Sequence, residues 1–408
     1  QKLNQTYDSS LGDMNLRDEN QYPLLPVCHT TVRAHISVTV DMQGNIVRVT
    51  LVPKESSRTI IPCTEESGGR TSGRVSHPLA DNLTYVAGDY REYENEGDPE
   101  QGEKKRNVDY RADFENYVKN LKEWCESEQG CSELNAVLRY VSKGTLCKDL
   151  ADRKILVLDD SGKIKNNWAD GEEKSELSSL VTGDVYKAVV KWKVETPELD
   201  EIDLSVHSKI WDAWTNYYIG KQNDEDLCYV TGKVMQISEN HPAKIRNDGD
   251  KSKLISSNDG SGFTYRGRFI TGRDACTIGF ETTQKAHNAL RWLISKQGYK
   301  RGDWCVVSWL VTGGKEAVNP VRDPMELFDK CEDEDPSAST GKMSSQTINA
   351  MIRGYHGKVD EKGIVTMVLD SASPGRMSII NYHEFSGSAF EDNLCNWYES
   401  RSWPRQYK

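Results

Sequence analysis

The sequence lacks what would mark a membrane protein, a zinc protein or a hydrolase. No apolar run approaches the roughly 20 residues that a bilayer span needs, and the first residues show no leader pattern, so no membrane partner is expected and the cytoplasm is the expected location. The ten cysteines (Cys28, Cys63, Cys125, Cys131, Cys147, Cys228, Cys276, Cys305, Cys331 and Cys395) include no C-x-x-C pair. That excludes a zinc ribbon and a small disulfide framework and leaves reduced structural thiols. H-E-x-x-H, G-x-S-x-G and G-x-x-x-x-G-K-[ST] are all missing, and the histidines and acids fall into no spacing that fixes a metal or an acid–base couple. No cofactor, metal or catalytic residue is therefore expected.

Positive charge is also in deficit: 52 Lys and Arg stand against 63 Asp and Glu, a formal charge of −11. Sequence-independent affinity for nucleic acid comes from cations that neutralise phosphates, so the total counts against it. The distribution does not. Thirteen bases and six acids lie between Lys233 and Arg301, a local excess of seven cations. The compensating acids concentrate in 89–103, 195–203 and 323–335, which read as solvated loops and linkers. An acidic molecule with one basic face is the expectation.

At 408 residues the chain should hold two or three domains, and its apolar periodicities mix two with three-to-four, an α+β pattern. The polar region 1–21 offers one short helix around Leu3 and Tyr7. Ile36, Val38 and Val40 alternate, 41–45 turns the chain, and Val47, Val49 and Leu51 alternate again, giving a hairpin with one buried face. A short strand over 59–63 follows. Phe114, Tyr117, Val118, Leu121, Trp124 and Cys125 recur at three and four, and Leu134, Val137, Leu138 and Val141 mark a second helix. Val190, Trp192 and Val194 alternate with Lys191 and Lys193 in a strand. Ile210, Trp211, Trp214, Tyr217 and Tyr218 line one helical face, a pattern that fits core better than base stacking. Residues 304–311 read as a buried strand, Ile348, Met351, Ile352 and Tyr355 as a helix, 364–370 with 376–383 as a hairpin, and Leu394, Trp397 and Tyr398 as a last amphipathic piece. The expected domains are a β-rich N-terminal domain with helices over 1–195, a mixed basic segment over 196–318, an acidic, proline-containing linker over 319–342, and a helix plus hairpin over 343–408.

Two stretches carry the candidate chemistry. The first, Ser67-Gly68-Gly69-Arg70-Thr71-Ser72-Gly73-Arg74-Val75-Ser76-His77, has three glycines and two arginines. It is either a finger held out from a sheet or an ordinary mobile turn, and Gly69, Arg70, Thr71, Ser72, Gly73 and Arg74 are its candidate contacts to DNA. In the second, Lys251, Lys253, Arg266 and Arg268 flank 256–262, a loop of hydroxyls, amides and free N–H groups that can donate several bonds to phosphate or sugar. Candidate contacts to nucleic-acid backbone are Lys244, Arg246, Lys251, Lys253, Asn258, Arg266, Arg268, Lys285 and Arg291. In the helix that follows, Ala286, Ala289, Leu290, Leu293 and Ile294 face a core, while Lys285, Asn288 and Arg291 point elsewhere and leave a basic side open. A solvated basic surface is the plainer alternative. For catalysis, only His241 or His287 with a nearby lysine offers a metal-independent RNA cleavage.

Longer strings point further. Ile245-Arg246-Asn247-Asp248-Gly249-Asp250-Lys251 onward to Phe269, Gln284-Lys285-Ala286-His287-Asn288-Ala289-Leu290-Arg291-Trp292-Leu293, Ile61-Pro62-Cys63-Thr64-Glu65-Glu66-Ser67 to His77-Pro78-Leu79, Tyr85-Val86-Ala87-Gly88-Asp89-Tyr90, and Leu369-Asp370-Ser371-Ala372-Ser373-Pro374-Gly375-Arg376 together resemble the large subunit of the subtype I-C (Dvulg) CRISPR interference complex, Cascade. The resemblance spans nearly the whole chain. It implies a non-enzymatic subunit of a guide-RNA ribonucleoprotein that recognises the protospacer-adjacent motif on double-stranded DNA and stabilises the opened target. It also implies the partners: guide RNA (crRNA) and the subunit that binds its 5′ handle, the backbone subunits, target double-stranded DNA, a recruited helicase-nuclease and a small subunit. The loop from Gly68 to His77 corresponds to the region implicated in reading the motif. By the same likeness, the C-terminal helical region of the family is mostly absent here. Guide pairing supplies sequence discrimination in such a complex, so its protein need read only a short motif and a duplex backbone. A guide-RNA-processing endonuclease and a purely architectural subunit are the alternatives.

Overall fold

A computed structural model of the chain describes residues 1–11, 22–70, 74–95, 109–168, 171–197, 201–247, 249–256, 268–311, 363–373, 375–386, 389–390, 392–393, 396 and 400. The expected linker over 319–342, the helix at Ile348 to Tyr355 and the apolar positions Leu394, Trp397 and Tyr398 lie outside the described residues. The fold is mixed α+β, with several small sheets. Two compact units divide it, residues 26–225 and residues 1–25 with 226–408.

In the unit 26–225, strand Ile36–Asp41 lies between Ile46–Leu51, antiparallel, and Val189–Glu195, parallel. The parallel partner is reached through the helices Tyr110–Cys125, Ser132–Val141 and Leu146–Asp152, each of which buries an apolar face. Val190, Trp192 and Val194 point inward and are almost wholly buried, as their alternation predicts. The hairpin departs from its pattern at one place. A register shift between Thr39 and Val40 sets Ile46, not Val47, opposite Val40. An extra residue reverses the side chains beyond it, so Val47 is exposed. Strand Arg58–Pro62 pairs with His29–Arg33, which the polar sequence hides.

The acidic runs at 89–103 and 195–203 are not simply solvated, where they are described. Lys191 Nζ meets Asp203 at 2.8 Å and Lys193 Nζ meets Glu201 at 2.6 Å, so those acids neutralise the outward face of the central strand. Asp89 accepts the backbone N–H groups of Cys147 and Lys148, each at 2.9 Å. A carboxylate there satisfies the orphan donors at the start of helix Leu146–Asp152, and burial still raises its pKa above the ordinary value.

Aromatic packing fixes both ends of the glycine-arginine loop. Trp124 and Trp214 meet edge to face, with ring centres 5.0 Å apart, and the Trp214 Nε1–H is shared between the carbonyls of Cys28 and Cys63 at 3.1 and 3.2 Å. Beyond the loop, the Leu79 carbonyl accepts both Tyr117 Oη–H at 2.7 Å and Trp192 Nε1–H at 2.8 Å. All of these side chains are buried. In helix Ser208–Lys221 the stripe is core at Ile210, Trp211 and Trp214, while Tyr217 and Tyr218 are half-buried.

In the second unit, Tyr299–Arg301, Trp304–Leu310, Ile364–Ser373 and Arg376–Phe385 form a four-stranded antiparallel sheet in that order. Helix Phe280–Gln297 packs against both the sheet and the N-terminal helix Lys2–Ser9. Trp309 Nε1–H donates to Thr6 Oγ1 at 3.0 Å, which ties the first turn of the chain to that sheet. The eight described cysteines are all free thiols.

Tyr117→Phe should lower the unfolding free energy by about 0.5–1.5 kcal/mol, one hydrogen bond, and Trp192→Phe by more, because the smaller ring also leaves a cavity in the core. The double variant should lose more than their sum, because the buried Leu79 carbonyl then has neither donor. Urea unfolding of the four proteins decides this, and strict additivity would count against the shared-acceptor geometry.

Candidate nucleic-acid interface

The glycine-arginine loop leaves a short capped helix. Thr64 Oγ1 accepts the Ser67 N–H at 3.0 Å, and Ser67 Oγ accepts the Thr64 N–H at 2.9 Å, the reciprocal capping box that ends an extended strand cleanly. Gly68 sits here because a Cβ would stand 3.0 Å from the Cys63 sulfur. Gly69 is half-buried. Arg70 then turns inward: Nη1 and Nη2 bind the two oxygens of Asp81 at 2.9 and 3.0 Å, and Nη1 also donates to the Val75 carbonyl at 2.8 Å.

Asp81 also accepts the His77 N–H at 2.7 Å, while the His77 ring meets Ser67 Oγ at 3.0 Å. Arg74 is exposed, yet its guanidinium is engaged, with Nε donating to Asp113 at 3.0 Å. Tyr85 lies against both arginines, its ring centre 5.0 Å from the Arg70 guanidinium and 5.8 Å from that of Arg74. Arg70 and Arg74 therefore brace the loop, a role that glycine-arginine composition alone does not signal. Thr71, Ser72 and Gly73 lie outside the described residues.

The second stretch belongs to the other unit, and its cations divide by environment. Arg246 is an internal strut: it makes paired bonds to Asp250 at 2.8 and 3.0 Å and reaches Ser252 Oγ at 3.2 Å. Lys285 bridges Asp8 at 2.9 Å and Glu281 at 2.8 Å. Lys244 adopts a left-handed φ of 61° and bonds through its backbone to Asp250. Lys251 and Arg268 are exposed, and the Arg268 guanidinium sits 5.5 Å from the Phe269 ring. Lys253 lies beside Arg376, backbone to backbone. Asn258 and Arg266 lie outside the described residues.

Arg291 corrects the helical reading. The periodicity points Asn288 and Arg291 away from the core, yet Asn288 is 6% and Arg291 7% exposed. The cause is a second covering element, for helix Phe280–Gln297 meets Lys2–Ser9 as well as the sheet, and a doubly covered helix buries polar positions too. The Arg291 guanidinium lies 3.4 Å from the centre of the Tyr22 ring, whose face attracts a cation. Burial pulls its pKa down to about 9, which leaves it charged at neutral pH. It is not a surface cation.

His241 and His287 are also interior. Their rings stack at 6.3 Å, His287 Nδ1 bonds the Thr283 carbonyl at 2.7 Å, and His241 Nδ1 meets Thr283 Oγ1 at 2.9 Å. Burial, with Lys253 nearby, lowers His241 to about 3 and His287 to about 4. Among the described residues no group of three or more His, Cys, Asp or Glu could hold a metal ion, and no helix is long and apolar enough to cross a membrane.

With this geometry in view, the comparisons define first a class, the CRISPR-associated proteins. The chain belongs to the family described as CRISPR-associated protein (Cas_Csd1), which it matches over residues 3–408 and which supplies the large subunit of the type I-C Cascade. Membership implies Cascade and guide-RNA partners in general, and the family is generally non-catalytic. A search of curated proteins finds no match.

Two outcomes test the site. Arg70→Ala strands the Asp81 carboxylate, 1% exposed as a side chain, and should cost about 3 kcal/mol or more of stability. A double-mutant cycle with Asp81→Asn should show strong coupling, and independent effects would refute the brace. The two imidazoles are neutral in the fold but titrate near 6.5 when unfolded, so the unfolded chain binds more protons between those limits. Their stabilisation is complete above about pH 6.5 and is lost as pH falls toward 4. His287→Asn should flatten the stability profile across that window by up to about 1.4 kcal/mol per pH unit, and unchanged slopes in chemical denaturation would contradict the assignment.

Proposed function

We propose that the chain recognises the protospacer-adjacent motif on double-stranded DNA through the loop 69–74 and stabilises the opened target during guide-RNA-directed antiviral interference. It does so without catalysis, in the cytoplasm, beside the subunit that holds the 5′ handle, the backbone subunits and a small subunit, and it hands the opened DNA to a recruited helicase-nuclease. Family membership over residues 3–408 is the observation that carries this conclusion.

The bracing of the loop supports it. A motif reader must hold a short backbone segment in fixed position against base edges, since a loose loop would lose its ordering entropy on every encounter. Arg70 and Arg74, on either side of 71–73, are each anchored to a carboxylate. The side chains left for the bases are then Thr71 and Ser72, with Gly73 allowing close approach, and Arg74 is positioned to exchange Asp113 for a phosphate or a base. The interior placement of His241 and His287 counts against a guide-RNA endonuclease, because neither neutral, buried imidazole offers an acid–base pair to a substrate.

Thr71→Ala with Ser72→Ala, in chain assembled with its ribonucleoprotein, should reduce the preference for motif-bearing over motif-free duplex by about 1–3 kcal/mol for each base that these side chains bond. Assembly and melting temperature should stay unchanged. An undiminished preference in equilibrium binding would reject the loop as the reader.

A further inference from the structure

Away from the motif loop, the chain around Gly375 brings together two cations that lie far apart in sequence. Gly375 takes a left-handed φ of 91°, which favours glycine, and its carbonyl accepts the Lys253 N–H at 3.0 Å. The Met377 N–H donates to the Lys253 carbonyl at 3.0 Å, so Lys253 and Arg376 are paired side by side in a parallel bridge. Both residues, with Ser256, line a cavity of about 200 Å³ whose apolar lining includes Leu254 and Met377. The nearby Asp250 is committed to Arg246 and to the Ser252 N–H, and Ser252 in turn is bonded by Ser371 Oγ at 3.2 Å.

We propose that Lys253 and Arg376 form a clamp for one phosphodiester group of a nucleic-acid backbone, an inference that rests on reading the chain as a nucleic-acid-binding Cascade subunit. Two cations set side by side on one cavity attract an anion more strongly than either alone. The guanidinium offers a planar fork to two phosphate oxygens, the ammonium a mobile point charge, and Ser256 a hydroxyl at the same cavity. Arg376 is absent from the basic stretch of the sequence, 123 positions from Lys253 by their numbers, so the clamp is made only by folding.

The phosphate belongs either to guide RNA or to target DNA, and one experiment separates these sources. The full chain carrying Lys253→Gln and Arg376→Gln is titrated with labelled single-stranded guide RNA and with motif-free duplex over a salt series. Removing one phosphate bond lowers the slope of log affinity against log salt by about 0.7 on the single strand or about 0.9 on the duplex. A fall on RNA alone assigns the guide, a fall on duplex alone assigns the target, and a fall on both shows a clamp that takes either backbone. Unchanged slopes on both overturn the clamp, while the motif preference of the Thr71 and Ser72 variants remains a separate readout for the function itself. Should the double variant melt early, Arg376→Gln is compared with Arg376→Lys. A slope reduced only in the glutamine variant supports the clamp, and equal slopes overturn it.

Discussion

Asp81 is the constraint on which the segment between Ser67 and Leu79 depends. Its carboxylate is almost wholly buried, and it accepts from the Arg70 guanidinium and from the His77 and Asn82 backbone N–H groups. A buried carboxylate is tolerated only when its oxygens are filled by donors and its charge is matched. Here the filling groups come from Arg70 on one flank of the loop and His77 on the other. Asp81 also begins the short strand that pairs with Val189 and Val190, which joins the loop's geometry to the central sheet. Trp214 at Cys63 and the Tyr117–Trp192 pair at Leu79 hold the same segment from the core side.

Charge is used in this chain in two ways that composition does not distinguish. Some cations are struts: Arg70, Arg74, Arg246 and Lys285 each meet a carboxylate of the fold, and Arg291 lies on an aromatic face. Lys251 and Arg268 are exposed, and Lys253 lines a cavity with Arg376. A net charge of −11 is compatible with nucleic-acid binding because part of the acid matches the struts and part serves ordinary tasks such as capping helix Leu146–Asp152.

Much of the fold was legible because its signals are local. The alternation of Val190, Trp192 and Val194 and the helical recurrence of Tyr117, Leu121 and Trp124 follow from burial of one face, and the C-terminal hairpin turns at Gly375. What escaped the sequence was non-local. A one-residue bulge inverts Val47, and a helix from the start of the chain helps to bury Arg291 some 280 positions later by their numbers. The loop's location was readable from glycine and arginine, but the inward turn of Arg70 was not, because its partner is an aspartate eleven residues away. The Lys253–Arg376 pairing depends on a backbone bridge that no spacing reveals.

The central proposal is that residues 71–73 meet the bases of the motif. A photoreactive side chain placed at Ser72, in chain assembled with guide RNA and the other Cascade subunits, addresses it most directly. On motif-bearing target duplex the crosslink should map to the motif base pairs and fade when the motif is scrambled. Crosslinks confined to guide RNA, or spread along duplex without regard to the motif, would contradict the account.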